Sequence, residues 1–147
     1  MMTLSILAFL AGAAIALQAS INARLGTLLK NSLLGTTAAF TSSLLFCLII
    51  VILTTKQYPH KSVIESVPIY LWVAGGALST FGVAMFYYLI PKIGLSSTIS
   101  YALTGQLLVA ALISHFGWFD LPVKSFDLTR LSGSISLIIG IILINWK

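Results

Sequence analysis

Four stretches of this chain run for 20 residues or more without an Asp, Glu, Lys or Arg: 4–23, 31–55, 66–90 and 93–119, with 131–146 as a shorter fifth. A helix needs about 20 apolar residues to cross about 30 Å of hydrocarbon. Backbone in lipid must satisfy its own hydrogen bonds, which leaves only helices and closed barrels. Barrel strands alternate in polarity over about ten residues, whereas these runs are continuous and twice as long. The expected fold is therefore an all-α integral membrane protein with five transmembrane helices. Their approximate limits are 4–23, 33–54, 68–90, 94–116 and 129–146, in a single membrane domain covering 1–147. The fifth span requires the stem of Arg130 to snorkel outward.

Composition excludes the soluble alternatives. The chain is 59% apolar and only 7% charged, against roughly 25% charged residues in a soluble domain. It therefore lacks the side chains to coat a water-exposed surface. Its eight Lys and Arg are scattered singly, with no basic run to track phosphates, so no nucleic-acid partner is expected. The single Cys47 cannot form an intrachain disulfide and carries no redox information. Trp72, Trp118 and Trp146 fall near span ends, and Tyr58 and Tyr70 flank the second loop, as an interfacial belt requires. No positive residue precedes the first apolar run, so it reads as a retained span and not as a cleaved leader.

Orientation is undetermined by charge. Five spans put Lys56, Lys61, Lys124 and Arg130 on the N-terminal side and Arg24, Lys30, Lys92 and Lys147 on the other. With four on each side, the Lys/Arg bias that normally orients a membrane protein is absent. Either mis-bounded loops hide a weak bias, or the chain inserts both ways and pairs with an inverted copy. Many transporters place two inverted repeats around a midplane site. A five-helix unit would be half of such a ten-helix inverted-repeat fold, completed by an antiparallel dimer, homodimer or heterodimer, in the lipid bilayer.

Small residues recur at four-residue spacing: Ala8, Gly12, Ala16 and Ser20 in the first span, Ser132, Ser136 and Gly140 in the fifth. Gly75, Ser79 and Gly82 form a similar row in the third span, and Gly35, Ala38 and Ser42 in the second. In lipid such rows let helix backbones approach, and they are expected to pack helices. Polar residues inside spans are costlier and more informative. Gln18 and Asn22 share one face of the first helix, with Arg24 at its boundary. On the fourth helix Ser97, Ser100, Tyr101 and Thr104 fall within one arc, His115 lies further along it, and Gln106 sits opposite. These residues either line a wet cavity or bond between helices, and the hydroxyls can also bond back to their own helix.

No Asp or Glu lies inside a span; Glu65, Asp120 and Asp127 are in loops or at boundaries. A membrane carboxylate relay of the kind proton-coupled antiporters use has no residue here. No phosphate loop, metal-ligand cluster or nucleophile–base spacing is present, so neither an enzyme nor a metal or cofactor is expected.

The run Leu17-Gln18-Ala19-Ser20-Ile21-Asn22-Ala23-Arg24-Leu25-Gly26 resembles the first-helix signature of the five-helix YdcZ-type branch of the drug/metabolite transporter superfamily. Gly105-Gln106-Leu107-Leu108, the segment Ser114-His115-Phe116-Gly117-Trp118-Phe119-Asp120-Leu121-Pro122 and the Pro91-Lys92-Ile93-Gly94 turn are similar to that family in the same order. The resemblance implies an exporter of the bacterial inner membrane whose ten-helix relatives pair two five-helix repeats. It marks Gln18, Asn22, Arg24, Gly105 and Gln106 as matched motif residues without assigning their roles. Ser114 departs from the pattern, standing where an acid is expected before the histidine.

The expected function is a secondary carrier or exporter of small molecules, metabolites or drugs, working by alternating access. Its substrate would be neutral or zwitterionic, held by hydrogen bonds and by aromatics such as Tyr87, Tyr88 and Tyr101. A dual-topology ion channel lined by hydroxyls and a non-transporting membrane subunit remain as alternatives.

Overall fold

The computed structural model of the chain describes residues 2–124 and 127–146, with Arg130 described by its backbone alone. Among these residues every regular element is helical: α1 (Met2–Leu28), α2 (Ser32–Thr54), α3 (Lys61–Ser66), α4 (Ile69–Ile93), α5 (Leu95–Phe116) and α6 (Leu128–Asn145), with a 3-10 turn at Trp118–Asp120. Four helices, α1, α2, α4 and α5, are long and apolar enough to cross a membrane. The apolar part of α6, Leu131–Asn145, is about 22 Å long at 1.5 Å per residue and falls short of about 30 Å of hydrocarbon. The Arg130 side chain on which a full fifth span depends, and Lys147 of the charge tally, lie outside the described residues. The chain divides into two compact units, residues 1–92 and 93–147.

In the N-terminal unit, α1 and α2 form a hairpin whose turn is written in hydrogen bonds. Lys30 N–H donates to Thr27 O at 3.1 Å and Asn31 N–H donates to Gly26 O at 2.9 Å. These two bonds make up the Schellman closure of a helix C-terminus, and Lys30 holds its left-handed position with φ of 53°. Asn31 then caps α2, its Oδ1 accepting from Leu33 N–H at 2.9 Å and Leu34 N–H at 3.4 Å. Within one residue the chain stops one helix and starts the next.

The helices of the hairpin meet at two glycines. A Cβ added to Gly35 would lie 2.9 Å from Gly26 Cα, 3.0 Å from Gly26 N and 3.2 Å from Asn22 O. The row that packs is Ala19, Ala23 and Gly26 of α1 with Gly35, Thr36 and Ala39 of α2. Tyr87 of α4 joins this cluster, with Val83, Phe86 and Ile90 packed against it. The packed row adjoins the Gly12/Ala16/Ser20 row expected from the sequence. Gly12 and Gly75 have no atom of the unit within 4 Å of where a Cβ would stand.

Between α2 and α4 the sequence suggests only a loop, yet α3 forms there. Its Lys61 and Glu65, four residues apart, approach to 3.5 Å on the exposed face, a pairing that supports a single helical turn in water.

In the C-terminal unit, α5 ends at Gly117, whose φ of +64° is left-handed and whose N–H donates to Ile113 O. Lys124 N–H donates to Ser114 O at 2.9 Å, folding the connection back on the last turn of α5 before α6 begins. Outside these contacts most apolar side chains of both units face outward, as lipid-facing residues do.

Gly35→Ala should cost about 1–3 kcal/mol by overpacking against backbone that cannot give way. Gly76→Ala, where no atom lies within 4 Å of the added methyl, should be neutral or stabilising by up to about 1 kcal/mol. Thermal unfolding of both variants in detergent micelles separates the two outcomes.

Candidate functional site

The N-terminal unit gathers the polar residues of the first helix around one aromatic hydroxyl. Gln18 and Asn22 are one helical turn apart, and Asn22 Nδ2 donates to Gln18 Oε1 at 3.1 Å. The same Nδ2 donates to Tyr87 Oη at 2.9 Å. Asn22 thus spends both amide hydrogens as a bridge between two helices. Tyr87 is 2% exposed, held in the small-residue row where Ala19 and Ala23 leave room for its ring. The amide NH2 of Gln18, the Oδ1 of Asn22 and the hydroxyl hydrogen of Tyr87 keep unused hydrogen-bonding capacity. The result is a short neutral array with donors and acceptors at both ends.

Arg24, next to Ala23 on α1, is exposed. Tyr88 turns away from the array; its hydroxyl accepts from Lys92 Nζ at 2.5 Å, and that ammonium lies 3.8 Å from the Tyr88 ring centroid.

The fourth-helix arc falls in the C-terminal unit, and most of its hydroxyls are engaged locally. Ser100 is buried and its Oγ donates to Ser96 O at 2.7 Å; Thr104 Oγ1 donates to Ser100 O at 2.9 Å. Ser97 is half-buried and Gln106 is exposed. Tyr101, 56% exposed, borders a surface groove with Ile142, Asn145 and Trp146. Thr104 lines a separate groove of about 420 Å³ between α5 and α6, walled mainly by Leu107, Leu108, Leu137 and Ile138. Of the expected packing residues, Ala16 is half-buried and accepts from Ser20 Oγ at 2.9 Å. Ser132 Oγ donates to Thr129 O at 2.8 Å. Ser79 and Ser136 are exposed, and neither Gly82 nor Gly140 has an atom within 4 Å of a built Cβ. The groups of three or more His, Cys, Asp or Glu that could hold a metal are absent among the described residues.

Sequence reasoning paired Gln18 with Asn22 from their spacing, and named Tyr87 only as one of three aromatics. The 65 residues separating Asn22 from Tyr87 hide the bond from any local pattern.

The bridge predicts energetic coupling. A double-mutant cycle of Asn22→Ala and Tyr87→Phe, read by unfolding in bicelles, should return about 0.5–1.5 kcal/mol, the range of interhelical hydrogen bonds in membranes. The same cycle on Asn22 and Tyr88 should return nothing.

The family model described as "Putative inner membrane exporter, YdcZ" matches residues 3–143. Neither a curated protein nor a solved structure matches the chain. Nearly the whole length, including both units, is covered by that match, and α1, α2, α4 and α5 are long and apolar enough to span a bilayer. The chain belongs to the DMT_YdcZ family of inner-membrane exporters, as a multi-pass transporter of that membrane.

Proposed function

We propose that this chain is a secondary carrier for neutral or zwitterionic small molecules, acting as an antiparallel dimer by alternating access. In this reading α6 completes five spans, and two inverted copies make a ten-helix carrier with its substrate site near the midplane. The observation that carries the reading is the Asn22 bridge between Gln18 and the buried Tyr87 hydroxyl. A polar array inside a membrane span is expensive unless it has a use, and this one contains no charge. Such an array recognises hydroxyls, amides or paired opposite charges, and it leaves a bare ion without compensation. Ser97, Ser100, Tyr101, Thr104 and Gln106 are the further lining residues proposed from the C-terminal unit, and Arg24 is proposed at the mouth.

The even split of basic residues supports the inverted pairing, because neither orientation is favoured by the Lys/Arg bias. The outward glycines Gly12 and Gly75 support it too, since each offers a close approach that its own unit leaves unused.

Proteoliposomes loaded in turn with radiolabelled neutral amino acids and neutral sugars test the carrier. For a solute that the wild-type chain moves, Asn22→Ala should lower flux at least about tenfold, the equivalent of about 1.4 kcal/mol of lost hydrogen bonding. Equal flux removes Asn22 from the site. A C-terminal tag in cells should be labelled from both sides of the membrane when the chain is expressed alone; one-sided labelling excludes the homodimer.

A further inference from the structure

The corner where α1 turns into α2 carries a second polar feature that the hydrogen-bond array does not use. Gly26, Thr27, Lys30, Asn31 and Ser32 of the turn and Tyr87, Tyr88 and Pro91 of α4 enclose a pocket of about 260 Å³. Lys30 and Tyr88 are among its lining residues, and the Lys92 ammonium lies 3.8 Å from the Tyr88 ring centroid. The one acid of the N-terminal unit, Glu65, sits on α3 beside Lys61. That short helix follows the far end of α2, a transmembrane length away from the turn. The pocket therefore has one lysine on its wall and a second packed on a lining tyrosine, with no carboxylate at its end of the unit.

The α2 terminus does not account for this arrangement, since Asn31 already accepts from the Leu33 and Leu34 amides. The lysines carry the charge. Lys30 also occupies a position that glycine would fill with less strain: its φ of 53° lies in the left-handed region, at the residue that closes the Schellman turn. Left-handed backbone is unfavourable for a residue with a Cβ, so the lysine side chain is kept at this turn position at a cost in strain.

We infer that this pocket binds an anionic group, a carboxylate or phosphate, held by the Lys30 ammonium with the charge of Lys92 close by. Charge-assisted bonds to either anion are strong at a membrane boundary, where bulk water is thinned. Both a small solute and an anionic lipid headgroup supply this chemistry. The inference does not depend on the carrier reading, because a non-transporting chain would bind the anion equally.

Full-length protein in phosphatidylcholine nanodiscs, titrated with inorganic phosphate and separately with acetate at constant ionic strength, tests it by the amide resonances of Lys30 and Ser32. These should shift saturably. Lys92→Gln should weaken the response about fivefold, the effect of one basic residue near an anion, and Lys56→Gln at the opposite end should leave it unchanged. Lys30→Gly should abolish the Ser32 shift while the melting temperature holds or rises, because the substitution relieves the left-handed strain. In nanodiscs containing phosphatidylglycerol, the same resonances move without added phosphate if the headgroup is the natural occupant. They stay at their phosphatidylcholine positions, and still answer to phosphate, if the occupant is a solute. No saturable shift with any of the three probes, or an equal response in Lys30→Gly and Lys56→Gln, overturns the site. A lower melting temperature for Lys30→Gly overturns the strain argument, and with it the assignment of Lys30.

Discussion

The backbone contact between Gly26 and Gly35 decides where everything else in the N-terminal unit can be. Lipid gives two apolar helices no hydrophobic reason to associate, so close packing and interhelical hydrogen bonds must hold them. A Cβ on Gly35 would sit 2.9 Å from Gly26 Cα, a separation no other residue tolerates. With the hairpin closed at that depth, Ala19 and Ala23 form a smooth floor on which the Tyr87 ring lies. Only then does the Tyr87 hydroxyl reach Asn22. The hydrogen bond between α1 and α4 is therefore a consequence of two missing side chains on α1 and α2.

The same economy governs polarity. The spans hold no acid, and their hydroxyls are largely turned to carbonyls of their own helices, as Thr36, Thr80, Thr98 and Thr104 are. Asn22 is the exception: its amide has two hydrogens to donate and both go to side chains, not to a carbonyl of its own helix backbone. It reaches instead along the helix to Gln18 and across to Tyr87. Interhelical polar contact among the described residues of the N-terminal unit is thus concentrated at one residue. A chain that recognises a solute without buried charge has to do so through groups of this sort.

What the sequence revealed follows the range of each interaction. The long helices were legible because a charge-free run of membrane length has few alternatives. The Gln18–Asn22 face was legible from a spacing of four. Ala8, Gly12, Ala16 and Ser20 make the more regular series in the sequence, whereas the contact of α1 with α2 depends on the turn, and the turn selects Ala19, Ala23 and Gly26. A signal for it was present, since Gly26 and Gly35 stand at equal distances from the Lys30–Asn31 reversal, and equidistant positions of a helical hairpin face one another. Lys61 and Glu65 were likewise spaced for a helical turn within what reads as a charged loop. Tyr87 had no such signal, because a tyrosine in an apolar span looks the same whether its hydroxyl meets an amide, a headgroup or nothing.

The rows left outward bear on what completes the molecule. Glycine within a helix costs about 0.5–1 kcal/mol relative to alanine, and at Gly26 and Gly35 that cost is offset by close approach. At Gly12 and Gly75 nothing in the unit offsets it. In water such glycines would merely weaken a helix, but in lipid they expose backbone to a neighbour with small side chains of its own. A row of this kind favours another such row over lipid tails, which fill a shallow groove less well than a rigid helix does. Within the N-terminal unit, Gly12 and Gly75 therefore remain as smooth helix surface, in contrast to the closed contact at Gly26 and Gly35.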